Sequence, residues 1–135
     1  MTDKDQYQQL QPLSLTSIRI GSTQPKVLAE FYEKFFGRPA DFQYGDFHVW
    51  QGPSCQVRIS DHSEIAAQAK EPGRILLNFD TPGVKEEFER LKALGVTIIR
   101  EPYVMEGGYW VATLADPDGN LVQLTNPAEF PTAPK

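Results

Sequence analysis

Pro25, Val27 and Phe31 recur as Pro82, Val84 and Phe88, each 57 positions later (82 − 25), and Gly37 recurs as Gly95 after 58 (95 − 37). A helix-start proline, an apolar pair and a helix-stop glycine repeated at nearly one offset read as an internal duplication. Strand–helix punctuation alone would give one such match by accident. Agreement at several levels at once is the mark of a repeat. Whatever the first half folds into, the second half has to repeat.

The elements follow from local chemistry. Leu15 to Ile20 reads as a strand, with Thr16, Ile18 and Ile20 on one face and Ser17 and Arg19 on the other. Ser22 to Pro25 opens a helix, with a capping hydroxyl nearby and proline in the first turn, where its missing donor costs nothing. Val27, Leu28, Phe31 and Phe35 form its apolar stripe, and Gly37 ends it in the left-handed conformation. Three strands follow, at Asp41 to Tyr44, Phe47 to Gln51 and Cys55 to Ser60.

After a polar connector over 61–73, with a helical turn expected at Ile65 to Ala69, the pattern restarts. Arg74 to Asp80 reads as a strand. Thr81-Pro82 then opens a helix carrying Val84, Phe88, Leu91 and Leu94. Strands at Ile98 to Val104, Tyr109 to Ala115 and Asn120 to Thr125 complete the second half. The last two flank Asp116-Pro117-Asp118-Gly119, a hairpin turn by its proline, its aspartates and its glycine. The expected layout is a loose arm at 1–12, one domain at 13–127 built of units 13–60 and 74–127, and a proline-rich flexible tail at 128–135.

Composition bounds the function. A chain of 135 residues can bury a core without staples, and a formal charge of −5 argues against a nucleic-acid partner. Cys55 stands alone, so no internal disulfide forms, which fits a reducing, cytoplasmic setting. No apolar run approaches the ~20 residues needed to span a bilayer, and the polar start lacks the apolar core of a secretory signal. Gly107-Gly108 lacks the lysine and helix of a phosphate loop. The segment Met105 to Gly108 reads as a hairpin tip.

Two tandem βαβββ units ending in Asp116 to Leu124, with the Phe31-Tyr32 pair in the first helix and glycine-terminated helices, resemble the vicinal oxygen chelate superfamily. This group includes glyoxalase I, bleomycin-resistance proteins and extradiol dioxygenases. The resemblance covers about Leu15 to Pro127. It implies an α+β fold in which the two units form a curved mixed sheet or half-barrel cleft, and a homodimer that completes or shares the cleft.

In that superfamily the metal enzymes take a histidine from each unit's first strand and a glutamate from each unit's last strand. The matching positions here are Ser17 and Arg74, Gln123, and either Gln56 or Arg58. Arginine offers no lone pair, and its charge repels a cation. The expectation is therefore no metal and no cofactor. Ser17, Arg58, Arg74 and Gln123 instead offer charge-assisted donors suited to a carboxylate, phosphate or enolate-like oxygen.

Phe42, Tyr44, Phe47, Trp50, Tyr103, Tyr109 and Trp110 cluster on the expected strands, and a ring-lined cleft suits a planar or apolar molecule. Trp50 and Trp110 are the ring contacts expected at the site. His48 shares strand parity with Trp50 and is the one ring base placed to contribute, while His62 sits in the connector. Two functional classes stay open. One is a metal-free protein that binds a small anionic or aromatic ligand. The other is a lyase, isomerase or dioxygenase-like enzyme with an unorthodox site.

Overall fold

A computed structural model describes residues 15–62, 65, 66, 68 and 70–127. The arm at 1–12 and the tail at 128–135 lie outside the described residues, as does part of the helical turn expected at Ile65 to Ala69.

The first unit runs β1 (Ser17–Gly21), α1 (Pro25–Phe36), β2 (Phe42–Tyr44), β3 (Phe47–Gln51) and β4 (Gln56–Ser60). The second runs β5 (Leu76–Asp80), α2 (Val84–Ala93), β6 (Thr97–Met105), β7 (Tyr109–Ala115) and β8 (Leu121–Thr125). A 3-10 turn, Pro72–Arg74, leads into β5. The strands form two four-stranded sheets, ordered β1-β4-β3-β2 and β5-β8-β7-β6. In each, the first and last strands of the unit pair parallel and the others pair antiparallel. The duplication read from the sequence is thus a duplication of topology.

Pro25 opens α1, and the Ser22 hydroxyl accepts a bond from the Gln24 amide at 3.0 Å. Gly37 closes the helix at φ 73°, where a Cβ would be strained. The buried stripe of α1 is Leu28, Ala29, Phe31, Tyr32 and Phe35, while Val27 stays 45% exposed. In α2 the stripe stops at Leu91. Leu94 is already the cap residue and is exposed, because the chain leaves helical geometry there to reach Gly95.

One apolar cluster joins everything. It takes Leu28, Tyr32 and Phe35 from α1, Phe88 and Leu91 from α2, Trp50 and Ile59 from the first sheet, and Leu114 and Val122 from the second. Both sheets therefore turn one face to the helices, and strand alternation turns the other face away from them. Arg90 of α2 links the two helices, donating to the carbonyl oxygens of Lys34 at 2.8 Å and Phe35 at 2.7 Å.

Strand register corrects the alignment of the halves. Ser17 pairs with Gln56, and its counterpart Leu76 pairs with Leu121, so first-strand positions are offset by 59 (76 − 17) rather than 57. Arg74 therefore does not occupy the first-strand position opposite Ser17. It lies in the 3-10 turn before β5, with its side chain 75% exposed and paired with Glu71 at 2.6 Å.

Candidate functional site

The face of the first sheet that turns away from the helices carries one lateral row across all four strands. Arg19 on β1 pairs with Arg58 on β4, Arg58 with Val49 on β3, and Val49 with Phe42 on β2. Paired residues on neighbouring strands point to one side, so these four side chains share a face. Ser17, Gln56 and Gln51 form the neighbouring row.

Two guanidiniums thus sit at directly paired positions, where like charges are unfavourable. Arg19 Nε donates to Ser60 Oγ at 2.8 Å, and Arg58 Nε donates to Gln56 Oε1 at 2.9 Å. Gln56 is held in turn by its bond to Gln51 Oε1. These bonds fix each side chain through Nε, and no described residue bonds to the terminal nitrogens. The four ion pairs among the described residues involve neither arginine. The result is a positioned pair of cationic forks with no carboxylate among the described residues paired to them.

The matching row of the second sheet is Asn78, Gln123, Thr113 and Arg100. Gln123 donates to Thr113 Oγ1 at 3.0 Å. Arg100 lies over the Tyr103 ring, 3.6 Å from its centroid. Asp80, beside this row, accepts from Thr125 Oγ1 at 2.8 Å. Amides and hydroxyls replace the cationic pair here.

Of the residues singled out in the sequence, Ser17 and Arg58 lie together on the outward face of the first sheet. Gln123 lies on the second sheet, with no hydrogen bond joining it to either. Arg74 lies with neither group, in its exposed pair with Glu71. His48 and Trp50 do share a face, as parity requires, but it is the opposite, helix-facing one.

Trp50 is 2% exposed, donates Nε1–H to the Arg38 carbonyl at 3.0 Å and packs on Phe36. His48 stacks on it at 6.3 Å, with Nδ1 3.2 Å from the Asp46 carbonyl oxygen. Trp110 also lies on the helix side, with Lys85 Nζ 4.0 Å from its ring centroid. The edge of Trp50 does reach a groove of about 590 Å³, shared with Ile18, Val57, Phe36, Leu77 and Phe79. The sequence pattern does not single out Arg19 as a site residue, although it shares the strand parity of Ser17. Val49 and Phe42 join it only through pairing between strands.

The resemblance implies a metal, so the donors must be tested against one. The superfamily's ligand positions fall on Ser17, on Gln56 or Arg58, on Leu76 once register is respected, and on Gln123. None supplies imidazole or carboxylate, and Arg19 and Arg58 would repel a divalent ion. Among the described residues no three His, Cys, Asp or Glu side chains converge. This donor set does not fit a metal.

Two groups whose titration burial raises lie elsewhere. Burial pushes the Tyr32 hydroxyl well above its ordinary range, and the neighbouring Asp116 carboxylate adds to the shift. Burial also raises Asp116, against the pull of bonds from Asn120 and Tyr32. These groups are enclosed where α1 meets the β7–β8 turn, so they serve the joint between the units.

A structure from Sphaerobacter thermophilus, described as a member of the glyoxalase/bleomycin resistance protein/dioxygenase superfamily, matches with a TM-score of 0.69 at 20% identity, covering 87% of this chain and 100% of that one. A family enzyme of the same description from Burkholderia phytofirmans gives 0.68 at 22% identity, covering 84% and 98%. A glyoxalase-related enzyme from Fulvimarina pelagi gives 0.66 at 22%, covering 87% and 89%. At these identities the likeness shows the fold alone. None of the curated proteins compared matches the sequence. The family model of the glyoxalase-like domain matches residues 17–125, and the chain belongs to that family.

Proposed function

We propose that this chain is a metal-free small-molecule-binding protein of the glyoxalase/bleomycin-resistance type, whose ligand carries an anionic group bound by Arg19 and Arg58. One observation carries the reading: two guanidiniums at paired positions, each held through Nε, with no carboxylate among the described residues on their terminal nitrogens. Such forks match a carboxylate or phosphate in a bidentate manner. Ser17 and Gln56 lie in the adjacent row as neutral donors.

The binding unit is a homodimer in which the partner's second sheet supplies Gln123 and Asn78 to the same ligand. The polar faces of both sheets point away from the helices, which leaves each free to meet a second copy. A cytoplasmic setting accords with the free thiol of Cys55. Among the described residues no helix is long and apolar enough to cross a membrane. Binding is favoured over turnover because the row and its neighbour supply guanidiniums, amides and a hydroxyl, with no imidazole, carboxylate or thiol among them.

Calorimetry with hexanoate and with hexanol at low ionic strength tests the reading. Arg58→Met should weaken hexanoate binding by roughly tenfold or more, the order of a lost charge-assisted bond. It should leave hexanol unaffected. Equal losses for the two would mean that Arg58 only packs.

A further inference from the structure

The outward face of the first sheet is graded from charge to ring. Arg19 and Arg58 stand at the β1–β4 side, Val49 is the low, buried step between, and Phe42 stands on β2 with 55% of its surface exposed. Phe47 holds the Phe42 ring edge-on, at 6.3 Å and 71°. Neighbouring strands lie about 4.8 Å apart, so Phe42 is about 10 Å from Arg58 and about 14 Å from Arg19.

We infer that this site takes an amphipathic acid, with its anionic group on Arg19 and Arg58 and an aromatic or apolar tail laid over Val49 onto Phe42. The inference rests on the anion-binding reading above and adds the tail, its direction and its length. A ring left exposed beside a cationic pair gains by covering itself with the tail of whatever the cations hold. The second sheet shows that the gradient belongs to one row. At the place equivalent to Phe42 it has Arg100, already stacked with Tyr103, and its centre is Gln123 and Thr113. The same ligand therefore cannot lie on that sheet in the same way.

Calorimetry with a series of carboxylates tests this directly. Phenylhexanoate, whose ring reaches β2 from Arg58, should bind at least about tenfold tighter than hexanoate. Phenylacetate, too short to reach, should gain nothing from Phe42. The Phe42→Ala variant should lose the advantage of phenylhexanoate while keeping its affinity for hexanoate. If phenylhexanoate and hexanoate bind wild type equally, the tail site is overturned and the anion site stands. If neither acid binds, both readings fall. Should Phe42→Ala weaken hexanoate as well, the wild-type series of three acids decides alone.

Discussion

Tyr32 on α1 donates its phenolic hydrogen to Oδ2 of Asp116, 84 residues later, at 2.8 Å in the buried joint between the units. Asp116 also accepts from the amides of Asp118 and Asn120 and from Asn120 Nδ2, each at 2.9 Å. Four donors on one carboxylate make the β7–β8 turn a receptor for the first unit's helix. Gln24 strengthens the link by donating to Asp118 Oδ1 at 2.8 Å.

Tyr32→Phe removes one donor and little volume. It should cost about 1.5–3 kcal/mol, the range for a buried bond to a charged group. Urea denaturation of the two proteins measures this, and an unchanged midpoint would mean the bond adds nothing.

The same bond sets an alkaline limit. The folded chain holds the Tyr32 proton above its ordinary range, while the unfolded chain releases it near pH 10. Its contribution is therefore complete below about pH 10 and is lost as pH rises from there toward the folded value. Melting temperature should fall more steeply above pH 10 in wild type than in Tyr32→Phe. Parallel curves would count against it.

Much of this was legible, for physical reasons. Pro25, Gly37 and Gly95 act within a turn or two of backbone, so helix ends could be read residue by residue. The Asp116 to Gly119 turn was equally local. What failed was register between distant strands. The offset of 57 is a property of the helices, and two residues of slip moved Arg74 off β5 although parity survived. Alternation showed that His48 and Trp50 share a face. It could not say which face meets the helices, because that depends on where Tyr32 and Phe36 pack. The Arg19–Arg58 pair needed the parallel pairing of β1 with β4, and no local pattern announces that.

Arg90 offers a second test of the joint between units. It donates to two carbonyl oxygens at the end of α1 and is paired with Glu87 at 2.8 Å. The last carbonyls of a helix lack partners within it and carry partial negative charge. Arg90→Met should lower stability by about 1–2 kcal/mol, and Arg90→Lys, with a single point donor, by less. Equal effects of the two would mean the fork geometry is irrelevant.

Ser17, Gln56 or Arg58, Leu76 and Gln123 at the ligand positions predict indifference to metal. Elemental analysis of protein purified without chelator should find no stoichiometric Zn, Ni, Mn or Fe. Chelator should leave hexanoate binding unchanged, and the glutathione–methylglyoxal adduct should not be turned over. One tightly held divalent ion per chain would overturn the expectation.

Assembly is the last test, and it follows from the sheet edges. Each sheet has two edge strands, β1 and β2 in the first and β5 and β6 in the second, each with backbone groups unpaired on one side; β2 and β6 are the antiparallel edges. Apolar surface gathers on the same strands, with Tyr44 79% exposed on β2 and Val104 52% exposed on β6. Unpaired edges bearing exposed apolar side chains invite pairing, and the expected closure is a second copy related by two-fold symmetry. Light scattering at micromolar concentration should therefore give twice the chain mass. Val104→Glu and Tyr44→Glu each place a charge on such an edge and should shift the population toward monomer without lowering the melting temperature of the monomer itself. A wild-type monomer would leave each outward sheet face without its partner, and the shared ligand site would have to be abandoned.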